Sequence, residues 1–99
     1  MAYKVRWTPE AEETFDFIIY YLNNRWTERE IINFVTKANH LIDQIAEHPK
    51  MFRLSSKRNI RVGFITHQTS LFYQISETEN LILLLSFWDN RQDPEKRKY

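Results

Sequence analysis

The stretch Leu81-Ile82-Leu83-Leu84-Leu85-Ser86-Phe87 runs straight into Trp88-Asp89-Asn90-Arg91-Gln92-Asp93-Pro94, and its reading decides the fold of this 99-residue chain. Five consecutive apolar residues are too few to span a bilayer and too many for a strand wetted on one face. They predict a strand covered on both sides, interior to its sheet. At its exit the sequence turns abruptly to aromatic, acidic, amide and basic side chains, a rim on which a rigid scaffold presents polar groups.

Working outward, Glu77-Thr78-Glu79-Asn80 reads as a turn, Leu71-Phe72-Tyr73-Gln74-Ile75 as a strand, and Thr66-His67-Gln68-Thr69-Ser70 as the turn before it. Ile60, Val62 and Phe64 alternate with Arg61 and Gly63, which predicts a further strand with Arg61 on the face opposite the buried one, unless a bulge at Gly63 resets the register. The three strands form an antiparallel meander. Residues 50–59 are polar and basic, anchored by Met51, Phe52 and Leu54, and form a connection.

Two helices precede the meander. Thr8-Pro9-Glu10 supplies an N-cap, a proline in the first turn and an acid at the positive dipole end. Ala11, Phe15, Ile18, Ile19, Leu22 and Trp26 then recur at helical spacing, with Tyr20 and Tyr21 widening the stripe. Thr27-Glu28-Arg29-Glu30 is a capping box flanked by Trp26 and Ile31 as a hydrophobic staple. The second stripe, from Ile31 through Phe34, Val35, Ala38, Leu41, Ile42 and Ile45, stops at His48-Pro49, because a residue before proline is pushed out of helical geometry. At the N-terminus, Val5 and Trp7 alternate with Lys4 and Arg6 as a short strand.

The expected class is therefore α+β: a two-helix antiparallel hairpin packed on a four-stranded antiparallel sheet, in the order β-α-α-β-β-β. The first strand should lie beside the last, and counting reversals along the chain makes that pair antiparallel. Residues 1–99 read as a single domain with a frayed tail at 95–99.

Composition excludes much chemistry. One glycine leaves no phosphate-cradling loop, and the absence of cysteine removes thiol chemistry and disulfides. His40, His48 and His67 have no metal-ligand spacing, so neither a metal nor another cofactor is expected. No signal-peptide pattern and no membrane-spanning run is visible, which points to a cytoplasmic protein without membrane contact. A net charge of +1 and a pI near 8.0 fall below the usual footprint of a nucleic-acid binder. The charge is nonetheless two-sided: Glu10, Glu12, Glu13 and Asp16 are acidic, whereas Lys50, Arg53, Lys57, Arg58 and Arg61 form a basic stretch without an acid.

The remaining candidates are Arg61, Tyr73, Asp89, Arg91 and Asp93, with Lys57, Arg58 and Trp88 nearby. Metal-free phosphodiester cleavage needs cations for phosphate, a general base and a general acid, and Arg61, Tyr73, Asp89 and Arg91 could serve. The same residues also read structurally: Arg61 as a solvated strand arginine, Tyr73 as core, Asp89 and Asp93 as strand-end caps or partners of Arg91, Trp88 as packing. As a binding surface, Lys57, Arg58, Arg61, Trp88 and Arg91 would meet a target or partner protein.

The two-helix hairpin after Val5-Arg6-Trp7-Thr8-Pro9-Glu10-Ala11, the element Leu71-Phe72-Tyr73-Gln74-Ile75 and the ending from Leu83 to Pro94 together resemble the RelE/ParE superfamily of toxins from bacterial type II toxin–antitoxin systems. The resemblance covers nearly the whole chain. It implies a cytoplasmic bacterial toxin and a cognate antitoxin that wraps on it, assembled as a homodimer or a toxin–antitoxin hetero-oligomer. RelE-like members cut messenger RNA in the ribosome without metal; ParE-like members are associated with DNA gyrase inhibition and plasmid stabilisation. Many ribonuclease members carry an arginine where this chain has Ser70 and a histidine where it has Asp89, whereas Arg91, Asp93 and Pro94 match the family ending. The expectation is a ParE-like toxin acting by protein binding without catalysis. The alternatives are a divergent ribosome-dependent endoribonuclease, or a non-toxic relative that retains antitoxin binding.

Overall fold

The computed structural model describes residues 2–57, 59–92 and 94–99; Arg58 and Asp93, named above as candidates, lie outside the described residues. The elements are β1 (Lys4–Trp7), α1 (Pro9–Asn23), α2 (Glu28–Glu47), a 3-10 turn (Pro49–Met51), β2 (Ile60–Thr66), β3 (Thr69–Ser76), β4 (Leu81–Asp89) and a second 3-10 turn (Pro94–Lys96). The predicted caps are present. The Thr8 hydroxyl accepts from the Ala11 N–H at 3.1 Å. Thr27 and Glu30 exchange both capping-box bonds, at 3.2 and 3.1 Å.

The sheet order is β1-β4-β3-β2, so β4 is interior, as its apolar run requires. The sheet is mixed, however, because β1 pairs with β4 in parallel, Lys4 opposite Leu81 and Trp7 opposite Leu84. Counting reversals failed at one place. The chain does not turn back at Thr8-Pro9: the Thr8 N–H and hydroxyl both bond to the Leu84 carbonyl, at 3.2 and 2.7 Å, and α1 then advances beside β4 until the Thr14 hydroxyl accepts from the Phe87 N–H at 3.0 Å. The first reversal comes at the corner before Thr27. The end of α2 returns to the start of β1, where the Tyr3 N–H donates to the Ala46 carbonyl at 2.9 Å. One reversal fewer than expected makes the outer pair parallel.

The core lies between the helices and one sheet face. It contains Phe34, Leu41 and Ile45 of α2, Leu71 and Tyr73 of β3, and Ile82, Leu84 and Phe87 of β4. Trp7, Phe15 and Phe87 form an aromatic knot, with centroids 4.9 to 5.4 Å apart, that fixes α1 over the β1–β4 pair.

Three further expectations change. In β2, Gly63 faces α2, where an added Cβ would come within 3.1 Å of Leu41, so Arg61 shares the helix side while Val62 and Phe64 point to the opposite face. The register shift falls between Phe64 and Thr66, beyond Gly63, and delivers Ile65 to the core. On α1, Tyr20 does not widen the core stripe; it is 72% exposed, and Tyr21 is 37% exposed. Residues 97–99 run along the sheet face away from the helices. There Tyr99 packs on Phe72 with centroids 5.8 Å apart, Arg97 sits 5.4 Å over the same ring, and Lys98 pairs with Glu10 at 3.0 Å.

Candidate functional site

What aims the exit of β4 is a bulge. Tyr73 stands opposite Leu84 and Phe72 opposite Ser86, which leaves Leu85 without a counterpart. Simple alternation after Ile82 and Leu84 would carry Ser86 and Trp88 into the core. The extra residue instead turns Phe87 and Asp89 to the helix side, and puts Ser86 and Trp88 on the other.

Asp89 therefore opens into a mouth of about 460 Å3 between the end of α1, the helix corner and the β2–β3 hairpin. Phe17, Tyr21 and Trp26 form its apolar walls; Gln68, Asp89 and Arg91 supply its polar edge. Arg91 grips Asp89 with both arms of the guanidinium, Nε to Oδ1 at 3.0 Å and Nη2 to Oδ2 at 2.7 Å, and its backbone N–H donates to Oδ1 at 2.9 Å. The Arg91 hydrogen bond holds the Asp89 carboxyl below the usual carboxylate range, against the opposing effect of its partial burial.

Arg61 and Tyr73 lie elsewhere. They are cross-strand partners, both turned to the helix side and both committed to the segment after α2. The Arg61 guanidinium donates to the carbonyls of Phe52 at 2.6 Å and Lys50 at 3.4 Å. The Tyr73 hydroxyl, fully buried, donates to the Pro49 carbonyl at 2.6 Å, and burial pushes its ionisation well above the ordinary tyrosine range. The structure thus joins Asp89 with Arg91, and Arg61 with Tyr73, in two separate places.

Of the other candidates, Lys57 is exposed in the loop before β2, with its N–H donating to the Ser55 hydroxyl at 3.1 Å. Trp88 is half-buried on the face away from the helices, opposite Ser70. On that face a groove of about 310 Å3 runs between Arg53 and Arg97, floored by Val62, Phe64 and Phe72. The Ser70 hydroxyl at its end donates to Asn90 Oδ1 at 2.9 Å. Among the described residues, no group of three or more His, Asp or Glu is placed to hold a metal ion.

Sequence reasoning missed Phe17 and Tyr21 at the mouth and Arg97 in the groove. Phe17 had left a trace: it is a large aromatic off the Ala11-Phe15-Ile18-Leu22 spacing, so it could not belong to the core stripe.

Residues 5–94 match the family described as the ParE toxin of type II toxin–antitoxin systems, parDE. The chain belongs to that family. The ParE-family fold seen here is similar to that of the toxin–antitoxin complex RelBE2 from Mycobacterium tuberculosis, at a TM-score of 0.61 and 14% identity over 90% of this chain and 99% of that one. The isolated E. coli RelE toxin superposes with a TM-score of 0.64 at 10% identity, over 95% and 90% of the two chains. The YoeB dimer from Staphylococcus aureus gives 0.57 at 18% identity, over 87% and 94%. At such identities the likeness is one of fold. No curated protein matches this chain in sequence at a significant level. Among its described residues no helix is long and apolar enough to cross a membrane.

Proposed function

We propose that this ParE-family toxin acts in the bacterial cytoplasm by gripping a protein target, DNA gyrase first among the candidates, and has no catalysis of its own. The observation that carries the reading is the separation of the four residues a metal-free nuclease would need together. Arg61 and Tyr73 are used up on backbone carbonyls of the 49–52 segment, while the phosphate-matching fork of Arg91 is filled by Asp89. What the β4 exit offers instead is an aromatic-walled mouth with a polar edge, a shape suited to a protein side chain.

A cognate antitoxin silences the toxin in this proposal, as the RelBE2 complex suggests by analogy. Its recognition segment is apolar with acidic residues and lies along the groove of the outer face, meeting Arg53 and the neighbouring Lys57. Arg61, engaged on the helix side, does not line that groove.

The test sets two assays side by side on the purified chain: gyrase supercoiling, and cleavage of messenger RNA on ribosomes. Inhibition of supercoiling with intact messenger RNA is the expected result. Cleavage that Arg91→Ala abolishes would overturn the binding-only reading. A ribonuclease reading draws on one observation, the paired arginines of the outer groove, and would show cleavage sensitive to Arg53→Ala and Arg97→Ala. Normal growth with and without the antitoxin would point to a non-toxic relative.

A further inference from the structure

Arg91 is held on one edge only. A guanidinium offers two bidentate edges, Nε with Nη2 and Nη1 with Nη2, and Asp89 occupies the first. The Nη1–Nη2 edge has no partner among the described residues, and the Arg91 side chain is 55% exposed against 18% for Asp89. Asp89 thus acts as a brace. With the Arg91 backbone N–H also on Oδ1 at 2.9 Å, it fixes the plane of the guanidinium at the rim of the mouth and leaves the outer edge open.

The surroundings of that edge are apolar and positive. Phe17, Tyr21 and Trp26 wall the mouth, with Phe17 61% exposed. Arg25, in the corner past the end of α1, lays its guanidinium 4.5 Å over the Tyr21 ring. Asp89 is the one carboxylate among the described residues lining the mouth, and Arg91 already neutralises it. What solvent meets is a braced cation beside exposed aromatic rings.

We infer that the mouth recognises an acidic side chain of the target protein carried next to an apolar one, the carboxylate on the Nη1–Nη2 edge of Arg91 and the apolar group against the rings; this rests on the protein-binding function proposed above and names the chemistry of the partner. A purely apolar guest would bury the open N–H groups without an acceptor. A lysine or arginine would be brought up against Arg91 and Arg25, with the Asp89 charge already engaged. A nucleic-acid strand could stack a base on the rings, but it would find one open guanidinium edge and a chain net charge of +1, too little to neutralise successive phosphates. A carboxylate is flat and matches a guanidinium edge with both oxygens. The volume of about 460 Å3 lies in the range that encloses a small ligand, so the acid and its apolar neighbour enter together.

Phenylacetate, a ring and a carboxylate one carbon apart, is the minimal probe, and phenylacetamide is its neutral isostere. NMR titration of the isotope-labelled full chain should move the Arg91 side-chain, Trp26 indole and Gln68 signals. The expected Kd is about 1–10 mM for phenylacetate, and phenylacetamide should bind at least about fivefold more weakly. Arg91→Gln, at an exposed site, should abolish the preference for the carboxylate. Phe17→Ala, also exposed, should weaken both probes by about the same factor and leave the preference intact. In the supercoiling assay Arg91→Gln should raise the concentration for half-inhibition about tenfold. No phenylacetate binding up to about 50 mM, equal binding of the two probes, or a preference that survives Arg91→Gln overturns the inference. Tighter binding of the dinucleotide uridylyl-uridine than of phenylacetate also overturns it, and gives the mouth to nucleic acid. Equal probe binding with gyrase still inhibited sinks the carboxylate seat and leaves the protein-binding function standing. The expected preference with gyrase untouched supports the seat and removes gyrase as the target.

Discussion

Replacing Tyr73 with phenylalanine removes one oxygen and nothing else from the centre of the domain. The ring is fully buried and keeps its edge-on contact with Phe52, 6.2 Å between centroids, so packing is retained. What is lost is the 2.6 Å bond to the Pro49 carbonyl, which sits on a buried residue and is left facing an apolar ring. Stranding such an acceptor costs about 1–3 kcal/mol. With about 1.5 kcal/mol as the central value, a domain of this size loses about 6–12 °C in Tm. Thermal and urea unfolding followed by circular dichroism would measure this, with the urea m-value unchanged because the surface exposed on unfolding is the same. The pH dependence gives a second reading. The folded state favours the protonated phenol, so wild-type stability falls as pH rises through the ordinary tyrosine range near 10, where the unfolded chain ionises first; the phenylalanine variant lacks that contribution. Growth inhibition should persist at a temperature where the variant is folded. A midpoint shift below about 2 °C, combined with loss of growth inhibition in a folded variant, would refute the assignment of Tyr73 to structure.

Asp89→Asn should act mainly at low pH. The Asp89 pKa is depressed by Arg91, so the stability this pair contributes is present above the ordinary carboxylate range near 4 and is lost as pH falls through the folded value. With Arg91 more than half exposed, that contribution is about 0.5 kcal/mol, and the gap between wild type and variant in urea unfolding should narrow between pH 7 and pH 3. Thr27→Ala removes the side-chain half of the capping box and should cost about 1 kcal/mol, read as a Tm lower by about 4–8 °C.

Local rules were enough for the elements. Thr8-Pro9 and Thr27-Glu28-Arg29-Glu30 specify helix starts through bonds made within four residues, and Asn80, at φ 51°, takes the left-handed position in the turn before β4 that asparagine tolerates. They were not enough for the site. Arg61 alternates with apolar residues and so looked solvent-facing, but Gly63 two residues on leaves room for Leu41 and Phe52 to close over that side, and the carbonyls of the 49–52 segment take the charge. Tyr73 read both as core and as a phenol that could serve in cleavage, because nothing nearby in sequence shows that Pro49, 24 residues away, supplies its acceptor.

Periodicity, capping chemistry and the apolar run at Leu81–Leu85 determined by themselves that this chain forms two helices and four strands with the last strand interior, because each of those preferences is satisfied within a few residues. The direction of β1 and the face presented by Asp89 were decided only in three dimensions. Each depends on one residue's offset, the absent reversal at Thr8-Pro9 and the unpaired Leu85 of β4, and such offsets are fixed by packing against Thr14, Phe87 and the aromatic knot rather than by any local preference.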